Sequence, residues 1–192
     1  MKTSGTLPPG AAGHQSIGPG EAPSSWLLEN LDLLPRAGRS LDVACGRGRH
    51  ALLLAAAGFP VEAVDRDAGL IDELRATAER LELPIRAEVR DLEAGTADLG
   101  TDAYDLVLVF HYLHRPLFPA LVRALAPGGL LLYETFTVEQ ARRGRPKNPD
   151  FLLEPGELRR IVAPLVVLRE REGEFEGRMV AGVAARKAQD RP

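Results

Sequence analysis

The 192-residue sequence has little of what several classes of protein require. Its single cysteine, Cys45, excludes an intrachain disulfide and a zinc site built from several cysteines, and we expect no metal. The formal net charge of −3 leaves no basic excess of the kind that domains binding nucleic acid carry. No apolar run reaches the roughly 18 residues that would span a membrane, and the N-terminus has no apolar core of a secretory signal. We therefore expect a cytoplasmic protein, because one free thiol also fits a reducing compartment.

What the sequence does contain is typical of a globular protein, with 45% hydrophobic and 27% charged residues. The length gives room for one domain. Residues 1–24 are rich in Gly, Pro, Ser and Ala and lack apolar periodicity. They are interpreted either as a flexible N-terminal arm or as an arm that orders over a bound ligand. Residues 25–192 are predicted to form a single domain.

Apolar strands and helices alternate from residue 40 onward, after a short amphipathic helix over residues 26–34. Strands are predicted over 41–45, 61–65, 84–91, 104–110, 130–136, 165–172 and 178–187, and helices over 51–58, 68–82, 116–125 and 154–162. Pro127-Gly128-Gly129 predicts a turn before the fifth strand, residues 137–153 a long loop, and the last two strands an antiparallel hairpin. This order predicts an α/β fold: a Rossmann-like, doubly wound, seven-stranded and mostly parallel sheet with a C-terminal antiparallel hairpin.

Sheets of this kind bind ligands at the carboxyl ends of their strands. The first such end is followed by Gly46 and Gly48, in a sequence that matches the dinucleotide pattern G-x-G-x-x-G/A. Glycines let the backbone pass close to a ligand. They also suit a tight strand-to-helix turn that binds nothing, so the motif alone leaves both interpretations open.

Acidic residues follow or precede the next turns. Asp65 closes the second strand and could accept both hydroxyls of a ribose, or could instead cap the helix that starts near residue 68. Asp91 with Leu92 could bind an adenine ring, or Asp91 could simply stabilise a turn. Asp42 lies inside the first strand, where its charge would repel a pyrophosphate but favour a ligand with a cationic amino group. S-adenosylmethionine is such a ligand.

The sequence resembles the class I S-adenosylmethionine-dependent methyltransferases over roughly residues 39–187. The resemblance is carried by LDVACGRG (41–48), VDRD (64–67), RDLEAG (90–95), DLVLVF (105–110) and APGGLLLYETF (126–136). FHYLHRPLFPAL (110–121), YETFT (133–137), GRPKNPDFLL (144–153) and PGEL (155–158) are similar to bacterial methyltransferase-domain proteins of the tellurite-resistance and thiopurine methyltransferase type. Ala44 stands where the family often has glycine.

The resemblance implies a role for each matched residue, with S-adenosylmethionine as cofactor. Gly46 and Gly48 would face its methionine part and Asp42 its amino group. Asp65 would hold the ribose. The remaining implied contacts are Arg66, Asp91 and Leu92 with the adenine, and Phe110 and His111 with the reaction site.

The methyl acceptor has its own candidate residues. His111 is the first candidate for a general base, because it directly follows the fourth strand and histidine titrates near neutral pH. A structural role for His111 is the alternative. Tyr112 and Glu134 are further candidates for the acceptor site.

The loop ARRGRPKNPD concentrates Arg142, Arg143, Arg145 and Lys147. It is either a solvated basic loop or a lid whose Arg145 grips an anionic small-molecule acceptor. Contact with nucleic acid is disfavoured by the net charge and by the lack of interleaved aromatic residues. We expect methyl transfer to a small molecule; an RNA or protein methyltransferase, or a nicotinamide-dependent oxidoreductase, is the alternative. The oligomeric state is not indicated.

Overall fold

The computed structural model describes residues 22–95 and 97–189, so that residues 1–21 of the predicted N-terminal arm lie outside the described residues. The strands are β1 (Ser40–Val43), β2 (Val61–Asp65), β3 (Ile85–Val89), β4 (Tyr104–Phe110), β5 (Leu125–Phe136), β6 (Val166–Phe175) and β7 (Arg178–Arg186). The α-helices are α1 (Ser25–Glu29), α2 (Arg49–Ala56), α3 (Ala68–Arg80), α4 (Phe118–Ala124) and α5 (Glu157–Ile161). Short 3-10 helices cover Leu31–Leu33, Arg115–Leu117, Val138–Arg142 and Pro149–Phe151.

The strands form one seven-stranded sheet in the order β3-β2-β1-β4-β5-β7-β6. β1 to β5 pair in parallel, and β7 runs antiparallel to both β5 and β6. This confirms the predicted α/β sheet with its C-terminal hairpin. The strand order reverses direction between β1 and β4, and the carboxyl ends of these two strands mark the place where such sheets bind ligands.

Two hydrophobic layers cover the sheet, one on each face. Consecutive residues of β4 alternate between them: Leu106 and Leu108 pack with α2 and α3, whereas Val107 and Val109 pack with α4 and α5. All four side chains are fully buried. The continuous apolar run of this strand therefore reflects its burial on both faces.

β5 already begins at Leu125, so the turn predicted at Pro127-Gly128-Gly129 lies within the strand and not before it. The backbone is irregular there: Gly128 has φ of 80°, and the register with β4 shifts between Leu125 and Leu130. Gly128 donates its N–H to the Lys187 carbonyl at 3.1 Å, and the Lys187 N–H donates to Gly129 at 2.9 Å. These bonds lengthen the pairing of β5 with the end of β7. The glycines therefore lie inside the sheet, in a strand between β4 and β7.

Three other predictions need smaller corrections. The helix over 26–34 ends at Glu29 and continues only as a 3-10 turn. The helix over 154–162 begins at Glu157, after Gly156 in a left-handed conformation with φ of 64°. The long loop over 137–153 contains two 3-10 helices. In the part of the chain that the structure describes, no helix has both the length and the apolar character needed to cross a membrane.

Candidate functional site

A cavity of about 910 Å³ lies at the carboxyl ends of the parallel strands. This volume is near the upper end of the range for small-molecule sites, so two small ligands could share it. Its walls come from the carboxyl ends of β2 and β5, from the segments after β1, β3 and β4, and from the loop after β5. The lining residues are Ala44, Asp65, Arg66, Arg90, Asp91, Leu92, Glu93, His111, Tyr112, Leu113, Phe136, Arg145, Pro146, Lys147, Asn148 and Phe151.

The turn between β1 and α2 needs its two glycines for different reasons. Gly48 has φ of 75°, and a Cβ there would lie 2.5 Å from Cδ1 of the buried Leu74, so glycine lets the turn pack against α3. Gly46 has φ of 56°, and a Cβ there would meet nothing within 4 Å. Its N–H donates to Asp65 Oδ2 at 2.8 Å. Neither glycine is among the described residues that line the cavity. Gly46 contacts the lining carboxylate of Asp65 through its N–H, and a Cβ at Gly46 would point into open space.

Asp65 is fixed at the end of β2 by two backbone donors. Besides Gly46, the N–H of Asp67 donates to its Oδ1 at 3.0 Å. The helix cap considered as an alternative for Asp65 is provided by Asp67, whose Oδ1 accepts from Leu70 N at 3.1 Å. A carboxylate offers about four lone pairs, so two remain for hydroxyl donors of a ligand.

A second carboxylate lies one strand further along. Asp91 accepts the N–H of Glu93 through Oδ1 at 2.9 Å, which forms a tight turn and leaves the other oxygen available. The neighbouring Leu92 side chain is buried. Arg66 lies 4.0 Å from Glu93. We call the three carboxylates Asp65, Asp91 and Glu93 the acidic end of the cavity.

Asp42 does not line the cavity formed by the described residues. Its side chain is buried beneath the turn and accepts the N–H of Ala51 at 3.1 Å, which ties β1 to the first turn of α2. Burial raises the pKa of Asp42 to about 7. Any effect of this carboxylate on a ligand must pass through the turn that it supports.

Phe110 and Glu134 are also outside the wall that the described residues form. The Phe110 ring packs against His50, with ring centroids 4.1 Å apart. Glu134 is buried and accepts Ser24 Oγ at 2.9 Å and Arg171 Nε at 2.8 Å. Both residues therefore lie behind the site, and the buried pair of Glu134 with Arg171 gives that carboxylate a partner within the protein.

His111 lines the cavity and is held by its neighbours. Its backbone is strained, with φ of 57°, and its ring stacks on Phe136 with centroids 4.8 Å apart. Arg49 Nη2 lies 3.4 Å from His111 Nδ1, and Arg178 Nη1 lies 3.4 Å from Nε2. Burial, followed by the charges of these two arginines, lowers the pKa of His111 to about 4. The imidazole is consequently neutral at pH 7.

Tyr112 follows His111 in the wall. Burial and the nearby Glu93 carboxylate raise the pKa of its phenol, which stays protonated at neutral pH. Its carbonyl accepts the hydroxyl of the buried Tyr133 at 2.7 Å. Tyr112 therefore offers a neutral aromatic surface with a hydroxyl to a ligand.

The basic loop after β5 divides into two halves. Arg142 pairs with Glu139 at 2.7 Å, and Arg143 pairs with Glu174 at 2.8 Å. Arg145 and Lys147 line the cavity, and no carboxylate within residues 22–95 and 97–189 forms an ion pair with either. We call Arg145, Lys147 and His111, with Arg178 behind the imidazole, the basic end of the cavity.

Several residues at the site were not among those predicted from the sequence. Arg90, Phe136 and Phe151 line the cavity, and Arg49 and Arg178 flank His111. Phe136 could have been found as the last residue of a predicted strand. Arg178 could not, since it lies 67 residues from His111 and no local pattern links the two.

The central part of the chain is similar to known proteins. A methyltransferase domain family matches residues 41–129, from β1 to the start of β5. The chain is 36% identical over 114 residues to trans-aconitate 2-methyltransferase of Rhizobium meliloti and 30% identical over 83 residues to TehB of Haemophilus influenzae, described as a probable S-adenosyl-L-methionine-dependent methyltransferase. It is 32% identical over 95 residues to hemagglutinin 1 of Eikenella corrodens.

These matches cover 57%, 43% and 47% of this chain, but only 42%, 29% and 32% of the respective relatives. The chain thus spans less than half the length of the curated relatives that it matches. The crystal structure of Haemophilus influenzae TehB has the same fold, with a TM-score of 0.67 over 85% of this chain and 61% of that one, at 22% identity.

Proposed function

We propose that the chain is a class I S-adenosylmethionine-dependent methyltransferase similar to TehB, and that it transfers a methyl group to a small-molecule acceptor bound in the same cavity. The observation that carries the proposal is that the Asp65 carboxylate, which accepts the N–H of Gly46 at 2.8 Å, lines a cavity of about 910 Å³ together with Ala44 of the same turn. S-adenosylmethionine is the cofactor of this domain class. When bound, it supplies a methyl group on a positively charged sulfur.

The residues present fit this cofactor. Gly46 leaves open space where any other residue would place a Cβ. The acidic end offers acceptor oxygens, which suit a ligand whose ribose hydroxyls and adenine amino group are donors. Asp65 would hold the ribose, and Asp91 with Leu92 would contact the adenine beside Arg66. Asp42 would act by keeping the turn between β1 and α2 in shape.

The acceptor would lie toward His111, Tyr112 and Arg145. Methyl transfer needs an acceptor held in line at about 3–3.5 Å and shielded from water, and these side chains form a wall that can do both. His111 is neutral at pH 7 and could accept a proton from an acceptor that must lose one. Its low pKa makes it a weak base, so positioning is the larger part of its proposed role.

A small acceptor is supported by how the cavity is built. The described chain has one sheet, and the walls away from the acidic end come from the loop after β5 and from the end of β4. The similarity to trans-aconitate 2-methyltransferase, whose name specifies a small acceptor, points the same way.

The test is calorimetric titration of the full chain with S-adenosylhomocysteine and, separately, with NADH. We expect the homocysteine product to bind and NADH not to bind. Asp65→Ala should abolish binding of S-adenosylhomocysteine, whereas Asp72→Ala, which removes an exposed carboxylate of α3, should leave it unchanged. Binding of NADH alone would overturn the proposal.

A second measurement addresses the acceptor with a labelled methyl donor. Small thiols, oxyanions, quinones and RNA are screened for incorporation of the label. We expect incorporation into a small molecule, and His111→Ala should lower its rate far more than the affinity for S-adenosylhomocysteine. Incorporation into RNA alone would contradict a small-molecule acceptor.

A further inference from the structure

We infer that the basic end of the cavity binds an anionic group, a carboxylate or an equivalent oxyanion, of the methyl acceptor. The inference rests on the proposed function and adds the chemical class of the acceptor. It places the anionic group against Arg145 and Lys147 from the loop, opposite the acidic end. Arg178, which contacts the imidazole of His111, adds a further positive charge near the anionic group.

Charges of opposite sign lie at different ends of the cavity. The acidic end holds Asp65, Asp91 and Glu93 after β2 and β3. The two lining cations there are already paired, Arg66 with Glu93 at 4.0 Å and Arg90 with Glu62 at 3.3 Å. The acidic end therefore carries a net negative charge, which favours a cationic ligand and repels an anion.

The cations at the basic end have no carboxylate partner among the residues that the structure describes. Arg145 and Lys147 form no ion pair with any of these residues, and the guanidinium of Arg178 is hydrogen-bonded within the described chain to the imidazole of His111 and to no carboxylate. Arg142 and Arg143 of the same loop are both paired. Two cations of the loop, Arg142 and Arg143, are therefore neutralised by carboxylates, whereas Arg145 and Lys147 line the cavity without an ion pair in the described part of the chain.

The cations of the basic end supply charged hydrogen-bond donors to the cavity. A guanidinium matches the two oxygens of a carboxylate or oxyanion in a bidentate arrangement, and an ammonium adds a further charged donor. Charge-assisted bonds of this kind are about twice as strong as neutral ones. A neutral acceptor would leave both groups without the partner that they suit best.

An apolar surface lines the same cavity as the cations Arg145 and Lys147. Phe136 and Phe151 line the same cavity, and Phe151 is 46% exposed. An exposed aromatic ring at the wall of a cavity favours a ligand with an apolar part. The preferred acceptor therefore combines an anionic group with a flat or apolar body.

The experiment measures binding of defined probes to the full chain saturated with S-adenosylhomocysteine. The probes are benzoate, succinate and inorganic phosphate, with benzamide as the neutral counterpart of benzoate. We expect benzoate to bind at least about tenfold more tightly than benzamide, since a charged hydrogen-bonded pair contributes that much. Phosphate binding as tightly as benzoate would assign the site to oxyanions in general, and weaker binding of phosphate would assign it to carboxylates.

The decisive comparison uses two double variants with the same change in charge. Arg145→Ala with Lys147→Ala should weaken benzoate binding at least about tenfold, whereas Arg142→Ala with Arg143→Ala should leave it within about twofold. Arg178→Ala should weaken it to a smaller degree. The affinity for S-adenosylhomocysteine should not change in any of them.

Each other result counts against the inference. If none of the anions binds more tightly than benzamide, or if both double variants weaken benzoate equally, the basic end is not an anion site. Retained binding of S-adenosylhomocysteine in that case keeps the proposed function. If S-adenosylhomocysteine does not bind to the wild-type chain, the proposed function itself is wrong.

Discussion

The acidic and basic ends of the cavity are held in place in different ways. At the acidic end, Asp65 and Asp91 are fixed by backbone N–H groups of nearby turns. At the basic end, His111 is held by arginines that lie 62 and 67 residues away in sequence. One end is organised by local turns and the other by the tertiary fold. Mutations should therefore damage the two ends through different supports.

The support behind the basic end should show the largest effect. Arg171→Met removes the partner of the buried Glu134, whose backbone carbonyl accepts the N–H of His111 at 2.8 Å. Leaving one charge of a buried pair costs about 3–5 kcal/mol, so chemical denaturation should show a loss of that size in the free energy of unfolding.

Combining Arg171→Met with Glu134→Gln is the control, because the amide removes the uncompensated charge and can still accept from Ser24. The double variant should recover a substantial part of the loss. If it is as unstable as Arg171→Met alone, packing of Arg171 against Trp26 and Phe175 is the main contribution of that side chain.

The support behind the acidic end is the packing of Gly48 on α3. Gly48→Ala should lower the free energy of unfolding by about 2–4 kcal/mol, through a left-handed backbone and overpacking against Leu74. Gly46→Ala should cost only about 1–2 kcal/mol, because it has the backbone effect alone.

The two glycine variants separate stability from binding when each is also titrated with S-adenosylhomocysteine. Gly46→Ala should lose more affinity than its stability loss accounts for, since its methyl group would fill space beside Asp65. Equal affinity in Gly46→Ala and wild type would show that this space is not used by the ligand.

Asp42 provides a pH-dependent test of the turn that shapes the acidic end. Burial raises its pKa from 3.8 to about 7, so the folded chain binds more protons than the unfolded chain between these values. Its contribution to stability is therefore lost as the pH rises through this window. The melting temperatures of Asp42→Asn and wild type are measured from pH 4 to pH 8. The difference between them should grow by several degrees in favour of Asp42→Asn as the pH rises. A constant difference would contradict the raised pKa.

The smallest expected effect is at the imidazole of the basic end. Burial and the two arginines lower the pKa of His111 to about 4, and Arg178→Ala should raise it by removing one cation. A ring-proton NMR titration measures both values. An unchanged pKa in Arg178→Ala would show that this guanidinium has no electrostatic effect on the imidazole, and would weaken its place in the basic end.

Two of the three carboxylates of the acidic end, Asp65 and Asp91, are predicted from the sequence, because each stands at or just after the end of a strand with a clear apolar pattern. Glu93 is not predicted, since it lies four residues beyond β3 and only the structure places it at the cavity. The sequence leaves open whether Asp65 caps α3, whereas in the structure Asp67 is the capping residue. The two acidic residues lie two positions apart, so only the geometry shows which of them accepts the N–H at the start of the helix.

The basic end could be predicted only in part. Composition identified the loop with Arg142, Arg143, Arg145 and Lys147, but the division into paired and cavity-lining cations depends on Glu174, a residue of β6. Glu134 was a plausible candidate because it lies on the carboxyl-terminal half of β5. Its partner Arg171 lies on β6, 37 residues away, and pairing across the hairpin is not visible in either sequence segment.

The attachment of α1 has a consequence for how the chain folds during synthesis. Trp26 stacks against Arg171, with its ring 4.8 Å from the guanidinium, and Glu29 bonds the same arginine across 142 residues. Because α1 precedes β6 and β7 in the chain, the ribosome makes α1 before the strands on which it docks. The nascent α1 must remain undocked until β6 and β7 emerge from the ribosome. Docking of α1 on Arg171 can therefore occur only after all seven strands of the sheet have been translated.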